Sequence, residues 1–191
     1  VNIGADTTEI SVVSHGGIVV SRIIKIGGNR LDQIICDIVK RKYNILIGLK
    51  TAEQIKCTLS DAMYSEDDEN DDDIMYVYGR NVITGLPSER GVSKDTIYEA
   101  IKQFFDDIIE AIKNLLERTP PELSADIIDT GIFLTGASSA ISNLDKLITK
   151  ETSLKVNTIK HPGESVIRGI SMIMSDSVYR KLMYEPKESS F

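Results

Sequence analysis

Hydrophobic positions change their spacing along this chain, from strand-like alternation at the start to helical periodicity further on. The segments 1–3, 10–13 and 18–26 are rich in β-branched residues and are joined by short turns, a pattern that predicts an antiparallel meander of three strands. Beyond the Gly-Gly pair at 27–28, apolar residues recur every three or four positions. This spacing predicts helices that each bury one face.

Capping residues indicate where these helices begin. They mark three starts: Asn29 for a helix over 29–43, Thr51 with Gln54 in a capping box for a second helix, and Ser93 for the longest helix, over 93–118. Shorter elements are predicted as strands at 74–82, 131–135 and 155–159, an extended stretch over 84–92, and helices at 122–128, from 143, and at 163–176.

Composition narrows the class of protein. The 191 residues carry a net charge of −7 and are 41% hydrophobic, as in globular proteins, and no apolar run reaches the roughly 18 residues of a membrane span. An acidic chain without a basic stripe is a poor general partner for nucleic acid. Cys36 and Cys57 have no partner spacing, which suggests a reduced, cytoplasmic setting. Because the chain starts inside a strand pattern, we expect it to be a piece of a longer protein.

The most acidic stretch, residues 65–73, invites comparison with a calcium-binding loop. Such a loop needs Gly at its sixth position and Glu at its twelfth, but counting from Asp67 these positions hold Asp72 and Tyr78. We therefore predict a solvated loop without a metal.

The turn Gly4-Ala5-Asp6-Thr7-Thr8, between the first two strands, is the first candidate for chemistry. Glycine lets main-chain N–H groups approach an anion closely, and two threonines add hydroxyl donors, so the turn has the chemistry of a phosphate cradle. It is not a P-loop, which needs a downstream Gly-Lys-Ser/Thr. An ordinary hairpin with a small polar turn explains the same residues, and these residues alone leave both interpretations open.

A second glycine-led turn, Thr135-Gly136-Ala137-Ser138-Ser139-Ala140, leads from a buried-type strand toward the helix at 143. Small residues at such a place let the main chain approach a ligand closely. Any tight strand-to-helix connection also uses them, so this motif alone does not identify a site.

Several strings along the chain carry a resemblance to known proteins. They are Thr7-Thr8-Glu9-Ile10, Gly16-Gly17-Ile18-Val19, Tyr43-Asn44, Ile47-Gly48, Thr51-Ala52-Glu53, Thr84-Gly85-Leu86-Pro87, Thr119-Pro120-Pro121-Glu122-Leu123 and Gly131-Ile132-Phe133-Leu134-Thr135-Gly136. Together with the order of elements, they resemble the actin superfamily, which also includes heat-shock chaperones and sugar kinases. Within it, residues 1 to about 176 are similar to the C-terminal half of the MreB family of bacterial cell-shape proteins.

The resemblance implies an α/β actin-like ATPase domain. A ribonuclease-H-like lobe (residues 1–28 and 93–191) would carry a smaller inserted α+β lobe (residues 29–92). In the family, ATP or ADP with Mg²⁺ lies in a cleft between this half and an N-terminal half, which we expect to be missing from this chain. Family subunits form filaments at the inner face of the cytoplasmic membrane, which they reach through the N-terminal half, and they guide the cell-wall elongation machinery.

The resemblance also implies a set of site residues. Gly4, Ala5, Asp6, Thr7 and Thr8 would face the β- and γ-phosphates, with Thr7 also positioning the attacking water; Glu53 and Lys56 would lie against the nucleoside; and Gly136, Ala137 and Ser138 would form the adenosine-side loop. Asn2 stands where the family has an Asp that holds Mg²⁺-bound water.

Departures from the family pattern make weakened nucleotide chemistry a hypothesis. Asn2 offers no negative charge to a hard cation, and Asp6 adds one where triphosphate charge concentrates. The pairs Ala5-Asp6 and Ala137-Ser138 stand where the family has Gly-Gly. The added side chains hinder close approach of the main chain, and they cost more free energy where the native φ is positive.

The leading functional hypothesis is an ATP-binding filament subunit that determines rod cell shape. The alternative is a divergent paralogue with impaired ATP binding or hydrolysis that acts as a binding or filament-modulating partner. A small-molecule kinase is the least favoured of the three hypotheses.

Overall fold

The structure, a computed structural model, describes residues 1–64, 74–179 and 182–183. The acidic stretch 65–73, for which a solvated loop is predicted, lies outside the described residues, as does most of the segment after 179. No helix in the described part of the chain is long and apolar enough to cross a membrane.

Three antiparallel strands open the fold, which confirms the predicted meander. They are β1 (Asn2–Ile3), β2 (Thr8–Ser14) and β3 (Gly17–Ile24), paired in that order. Alternate residues of β2 are buried because successive side chains of a strand point to opposite faces of the sheet. One face of the meander therefore lies on the core.

A small antiparallel sheet and a parallel strand pair complete the β structure of the described residues. The small sheet contains β4 (Ile45–Leu46), β5 (Ile74–Asn81) and β6 (Pro87–Ser93), and the parallel pair contains β7 (Ile132–Leu134) and β8 (Val156–Thr158). A parallel bridge between Asn2 and Thr135 places the end of β7 beside β1. The turn after β1 and the loop after β7 are therefore neighbours.

Six α-helices lie in the described part of the chain. They are α1 (Gly28–Tyr43), α2 (Leu49–Leu59), α3 (Lys94–Glu117), α4 (Pro121–Thr130), α5 (Leu144–Thr152) and α6 (Ser165–Ser175). The long helix α3 packs against β2, β3, α1 and α5, so its apolar stripe forms the centre of the core. The small sheet, α1 and α2 fall mostly within the predicted inserted lobe, whose boundaries at 29 and 92 stay a prediction.

Two of the three predicted helix caps are wrong. Helix α2 begins at Leu49 after Gly48, and no side chain caps it, so the box between Thr51 and Gln54 does not form. Helix α1 begins at Gly28, which places Asn29 inside its first turn. The cap of α3 is confirmed, because the Ser93 side chain accepts a hydrogen bond from the main-chain N–H of Thr96.

A buried charged junction joins the end of α2 to α3 and α5. The Asp61 carboxylate accepts hydrogen bonds from Asn143 Nδ2 (2.8 Å) and the Met63 main-chain N–H (3.0 Å), and lies 3.1 Å from Lys94 Nζ. Burial works to raise the pKa of Asp61, but these hydrogen bonds and the Lys94 ammonium outweigh it and hold the pKa below its ordinary value. The ionised carboxylate therefore stabilises this junction.

Candidate functional site

The turn between β1 and β2 lies at the surface with its tip exposed. Ala5, Asp6 and Thr7 are exposed, and the Gly4 N–H donates to Thr7 O at 2.9 Å. In the part of the chain that the structure describes, no hydrogen bond uses the main-chain N–H groups of Ala5, Asp6 or Thr7. Three consecutive unused donors beside an exposed hydroxyl suit an anionic ligand.

Thr8 corrects one of the site predictions. Its side chain is fully buried on the core face of β2, and its hydroxyl donates to Ile26 O at 2.8 Å. The hydroxyl therefore serves the packing of the meander, and it does not face a ligand at the turn as the resemblance implies. The alternation of β2 explains this, because Thr8 shares a face with Ile10 and Val12.

The start of α1 closes one side of the turn. The N–H groups of Gly28 and Asn29 donate to Gly4 O (3.0 Å) and Ala5 O (2.8 Å). This contact requires glycine at position 27, because a Cβ there would lie 2.6 Å from Ala5 O. Main-chain carbonyls of the turn thus take the place of a side-chain cap, which explains why the predicted Asn29 cap is wrong.

The loop after β7 closes the other side. Gly136 has φ 85° and ψ 150°, a conformation that only glycine adopts readily, and a Cβ there would lie 2.3 Å from Ile3 O and 2.6 Å from Asn2 Oδ1. The Ile3 N–H donates to Thr135 O at 2.8 Å. The structure therefore places Asn2 directly against Gly136.

The next residues of this loop reach the turn as well. Ser138 Oγ donates to Gly4 O at 3.1 Å. Ala137 is exposed and lies beside Gly163, in the short turn Pro162–Glu164 that precedes α6. The predicted phosphate-facing turn and the predicted adenosine-side loop therefore lie side by side at the surface. We call the surface formed by residues 4–7, 28, 56 and 136–138 the groove.

Lys56 reaches the same groove from α2, but with its charge paired. Its Nζ lies 3.3 Å from Gly28 O, and 2.9 and 3.0 Å from the two carboxylate oxygens of Asp32. Only the contact with Oδ2 has hydrogen-bond geometry, so Oδ1 is held by charge alone. Both side chains are nearly buried, at 13% and 10% exposure. A nucleoside at this position would therefore meet a neutralised pair.

Sequence reasoning missed Asp32 and the role of Gly28. A signal for Asp32 was present, since it lies on the helical face that also buries Leu31 and Ile35, and a buried carboxylate needs a partner. The partner, Lys56, lies 24 residues away on another helix, so the sequence could not identify it.

Glu53 is less closely tied to the groove. It is exposed on α2, three residues before Lys56, and it lines a shallow recess with Gln54, Cys57, Thr58 and Met75. Within residues 1–64, 74–179 and 182–183, no hydrogen bond or ion pair connects Glu53 to the turn at 4–7.

The departures from the family pattern are accommodated without backbone strain. None of Ala5, Asp6, Ala137 and Ser138 has a positive φ, so the extra cost that would follow from one does not arise. The Asp6 carboxylate accepts a hydrogen bond from Asn29 Nδ2 at 2.8 Å, which ties it to the start of α1. Asn2 remains a neutral amide where a carboxylate is expected.

The chain is similar to known proteins over most of its length. A family model described as MreB/Mbl protein matches residues 1–181. The cell shape-determining protein Mbl of Bacillus subtilis (strain 168) is 38% identical over 180 residues, which cover 92% of this chain and 52% of that protein. The chain thus spans about half the length of the curated relatives it matches.

Solved structures give the same result. MreB 5 of Spiroplasma citri bound to AMPPNP superposes with a TM-score of 0.85 at 33% identity, over 95% of this chain and 53% of that one. A MamK double helical filament superposes with a TM-score of 0.75 at 21% identity, over 92% and 53%. The fold is therefore of the actin-like class, as the resemblance implies. Within that class, the chain belongs to the MreB/Mbl family.

Proposed function

We propose that this chain is part of an ATP-binding, MreB-like filament subunit that determines rod cell shape by organising cell-wall synthesis. The observation that carries the proposal is the set of contacts that brings together the turn at 4–7, Gly28, Lys56 and the loop at 136–138. Relatives support it: Mbl is a cell shape-determining protein, MreB 5 has been crystallised with AMPPNP, and MamK forms a double helical filament.

The donor set of the groove suits the phosphates of ATP or ADP. The free N–H groups of Ala5, Asp6 and Thr7 would bind the β- and γ-phosphate oxygens, because successive main-chain N–H groups form an anion-binding concavity. The Thr7 hydroxyl would orient the attacking water. Lys56 and Glu53 would face the nucleoside from α2, opposite the loop at 136–138.

Mg²⁺ would depend mainly on groups outside this chain. Within the described residues, no three or more His, Cys, Asp or Glu side chains lie close enough together to hold a metal. Asn2 offers only an amide oxygen, a weaker partner than carboxylate for the water shell of a hard cation. We therefore propose that phosphate oxygens and the other half of the cleft hold Mg²⁺, with Asn2 contributing through water.

Further partners belong to the same proposal. Subunits would associate with one another in filaments and act with the cell-wall elongation machinery. Attachment to the inner face of the cytoplasmic membrane would come through the half of the family protein that this chain does not match, since the matched region spans about half of Mbl.

Titration of the full-length protein with a fluorescent ATP analogue, followed by light scattering and electron microscopy with and without ATP, tests this function. We expect saturable binding and nucleotide-dependent filaments. Thr7→Val should slow ATP turnover more than it weakens binding, whereas Thr84→Val, in the exposed hairpin between β5 and β6, should change neither. A protein that binds no nucleotide and whose assembly ignores ATP would contradict the proposal.

The role of Asn2 has its own test. Asn2→Asp would restore the carboxylate and should raise the dependence of binding and turnover on Mg²⁺. If Asn2→Asp leaves the Mg²⁺ dependence unchanged, Asn2 takes no part in the metal site. The roles proposed for the other residues of the groove would not be affected by that result.

A further inference from the structure

The two walls of the groove meet at one side-chain hydrogen bond. Ser138 Oγ donates to Gly4 O at 3.1 Å, between residues 134 positions apart in sequence. In the part of the chain that the structure describes, it is the one side-chain hydrogen bond that joins the segments 4–8 and 136–140. Ser138 is half-buried, so water competes only partly with this contact.

A glycine on a third element makes room for this hydroxyl. A Cβ on Gly28 would lie 2.6 Å from Ser138 Oγ, a distance that requires one of the two to move. A side chain at position 28 would therefore displace either the Ser138 hydroxyl or the start of α1. Gly28 has no positive φ, so this lack of space, and not backbone conformation, is what calls for glycine there.

The acceptor of the Ser138 hydroxyl is a point where four segments meet. Gly4 O also accepts the N–H of Gly28 at 3.0 Å, and Gly28 O accepts Lys56 Nζ at 3.3 Å. The turn, the start of α1, the loop after β7 and helix α2 are thus linked through two main-chain carbonyl oxygens, those of Gly4 and Gly28. A change at Ser138 acts directly on the junction of these segments.

We infer that Ser138 is a positioning residue for the proposed nucleotide site, and that its hydroxyl holds the loop at 136–140 against the turn at 4–8 before any ligand binds. The inference rests on the proposed function, and it assigns Ser138 a role other than contact with the nucleotide. The free N–H groups at 5–7 bind phosphate well only if the turn is already held in place, since ordering a loop on binding weakens affinity.

The sign of the effect distinguishes this role from obstruction. If the hydroxyl organises the groove, its removal weakens nucleotide binding by about 3- to 10-fold, the range expected for one partly buried neutral hydrogen bond. If Ser138 instead occupies space that the ligand needs, Ser138→Ala and Ser138→Gly strengthen binding. The two readings of the same side chain therefore predict opposite changes.

The experiment compares full-length wild-type protein with Ser138→Ala, Ser138→Thr and Ser175→Ala. Two quantities are measured: affinity for a fluorescent ATP analogue with Mg²⁺, and amide hydrogen exchange of segments 4–8 and 136–140 without nucleotide. Ser138→Ala should weaken binding about 3- to 10-fold and speed exchange in both segments. Ser138→Thr, which keeps the hydroxyl, should restore both. Ser175→Ala should change neither, because that hydroxyl bonds only within α6.

A double-mutant cycle with Gly28→Ala separates this role from general destabilisation. The quantity compared is hydrogen exchange in segment 136–140. The new Cβ should displace the Ser138 hydroxyl, so Gly28→Ala should speed exchange in segment 136–140 when Ser138 is present and do so much less in Ser138→Ala. Additive effects would show that the two positions act separately and would overturn the inference.

The failures of the two proposals can be told apart. If the wild type binds no nucleotide, the proposed function fails, while the exchange measurements still test the contact between the loops. If the wild type binds nucleotide and Ser138→Ala matches it in affinity and exchange, the inference fails alone. Tighter binding by Ser138→Ala also overturns it, in favour of obstruction.

Discussion

The groove and the junction at Asp61 connect different parts of the chain, and they do so by different means. In the groove, glycines at 27 and 136 let main chains approach one another, and Gly28 makes room for the Ser138 hydroxyl. Three N–H groups of the turn have no hydrogen-bond partner among the described residues. At the junction, the Asp61 carboxylate receives two hydrogen bonds and an ammonium ion in a nearly buried setting.

The difference shows how one small fold meets two demands. A surface that must admit a ligand keeps donors free and relies on close packing of the backbone, so its contacts contribute shape more than stability. A junction that only holds elements together can satisfy every charge with side chains. We therefore expect substitutions in the groove to act through space and conformation, and substitutions at the junction through charge.

The largest expected effect is that of Gly136→Ala. A Cβ would lie 2.3 Å from Ile3 O in a conformation reserved for glycine, so the substitution should destabilise the fold by about 4 kcal/mol. Denaturant unfolding measures it. Gly169→Ala, in α6 with no atom within 4 Å of the new Cβ, is the matched control and should be neutral or stabilising by up to about 1 kcal/mol. If the two variants have similar free energies of unfolding, the backbone at position 136 can accommodate a Cβ.

Lys56→Met should have the next largest effect. It leaves the Asp32 carboxylate nearly buried without its cation, which should cost about 3 kcal/mol in unfolding free energy. Asp32→Asn in the Lys56→Met background should recover much of the loss, because an amide tolerates burial better than an unpaired charge. If the double variant is as unstable as Lys56→Met, packing and not charge determines the cost.

Asp61→Ala should be somewhat milder, at about 2 kcal/mol, because Lys94 is 23% exposed and can reach water once its partner is gone. Lys94→Met should cost less than Asp61→Ala, since Asp61 would keep its hydrogen bonds from Asn143 and Met63. Equal losses in denaturant unfolding would mean that the ion pair, and not the hydrogen bonds, stabilises the junction.

The smallest predicted effect is a pH dependence that comes from Asp61. Its pKa in the folded protein is held low, so the stability it contributes is present above the ordinary Asp value of about 3.9 and is lost as pH falls through the folded pKa. Asp61→Asn should therefore differ from wild type by on the order of 1 kcal/mol at neutral pH, and the difference should shrink in acid. Denaturant unfolding at a series of pH values measures this difference in stability. A difference between wild type and Asp61→Asn that stays constant down to the acid transition would contradict the prediction.

The pattern of residues was sufficient for those elements whose formation depends on their own sequence. The meander, the long helix with its Ser93 cap and the strand at 132–134 follow from alternation, periodicity and local capping. The caps of α1 and α2 could not be predicted in this way. The first turn of α1 is closed by carbonyl groups of Gly4 and Ala5, which are distant in sequence.

The same distinction between local sequence and distant contacts applies to the candidate site. Glycine-led turns and the family resemblance indicated the segments 4–8 and 136–138, but Thr8 proved to be buried and Lys56 to be paired with Asp32. Whether a polar side chain faces a ligand or a buried partner depends on which elements pack beside it. Strand alternation would have placed Thr8 correctly, whereas no local pattern connects Lys56 to Asp32.

By itself, the sequence determined the order of strands and helices, the apolar faces that form the core, and the family to which the chain belongs, because these depend on periodicity and on local strings of residues. Only the tertiary structure decided that two turns more than 130 residues apart lie side by side, and that the Ser138 hydroxyl joins them at Gly4. The reason is physical: a hydrogen bond of 3.1 Å between distant residues exists only after the strands between them have paired and brought their ends together.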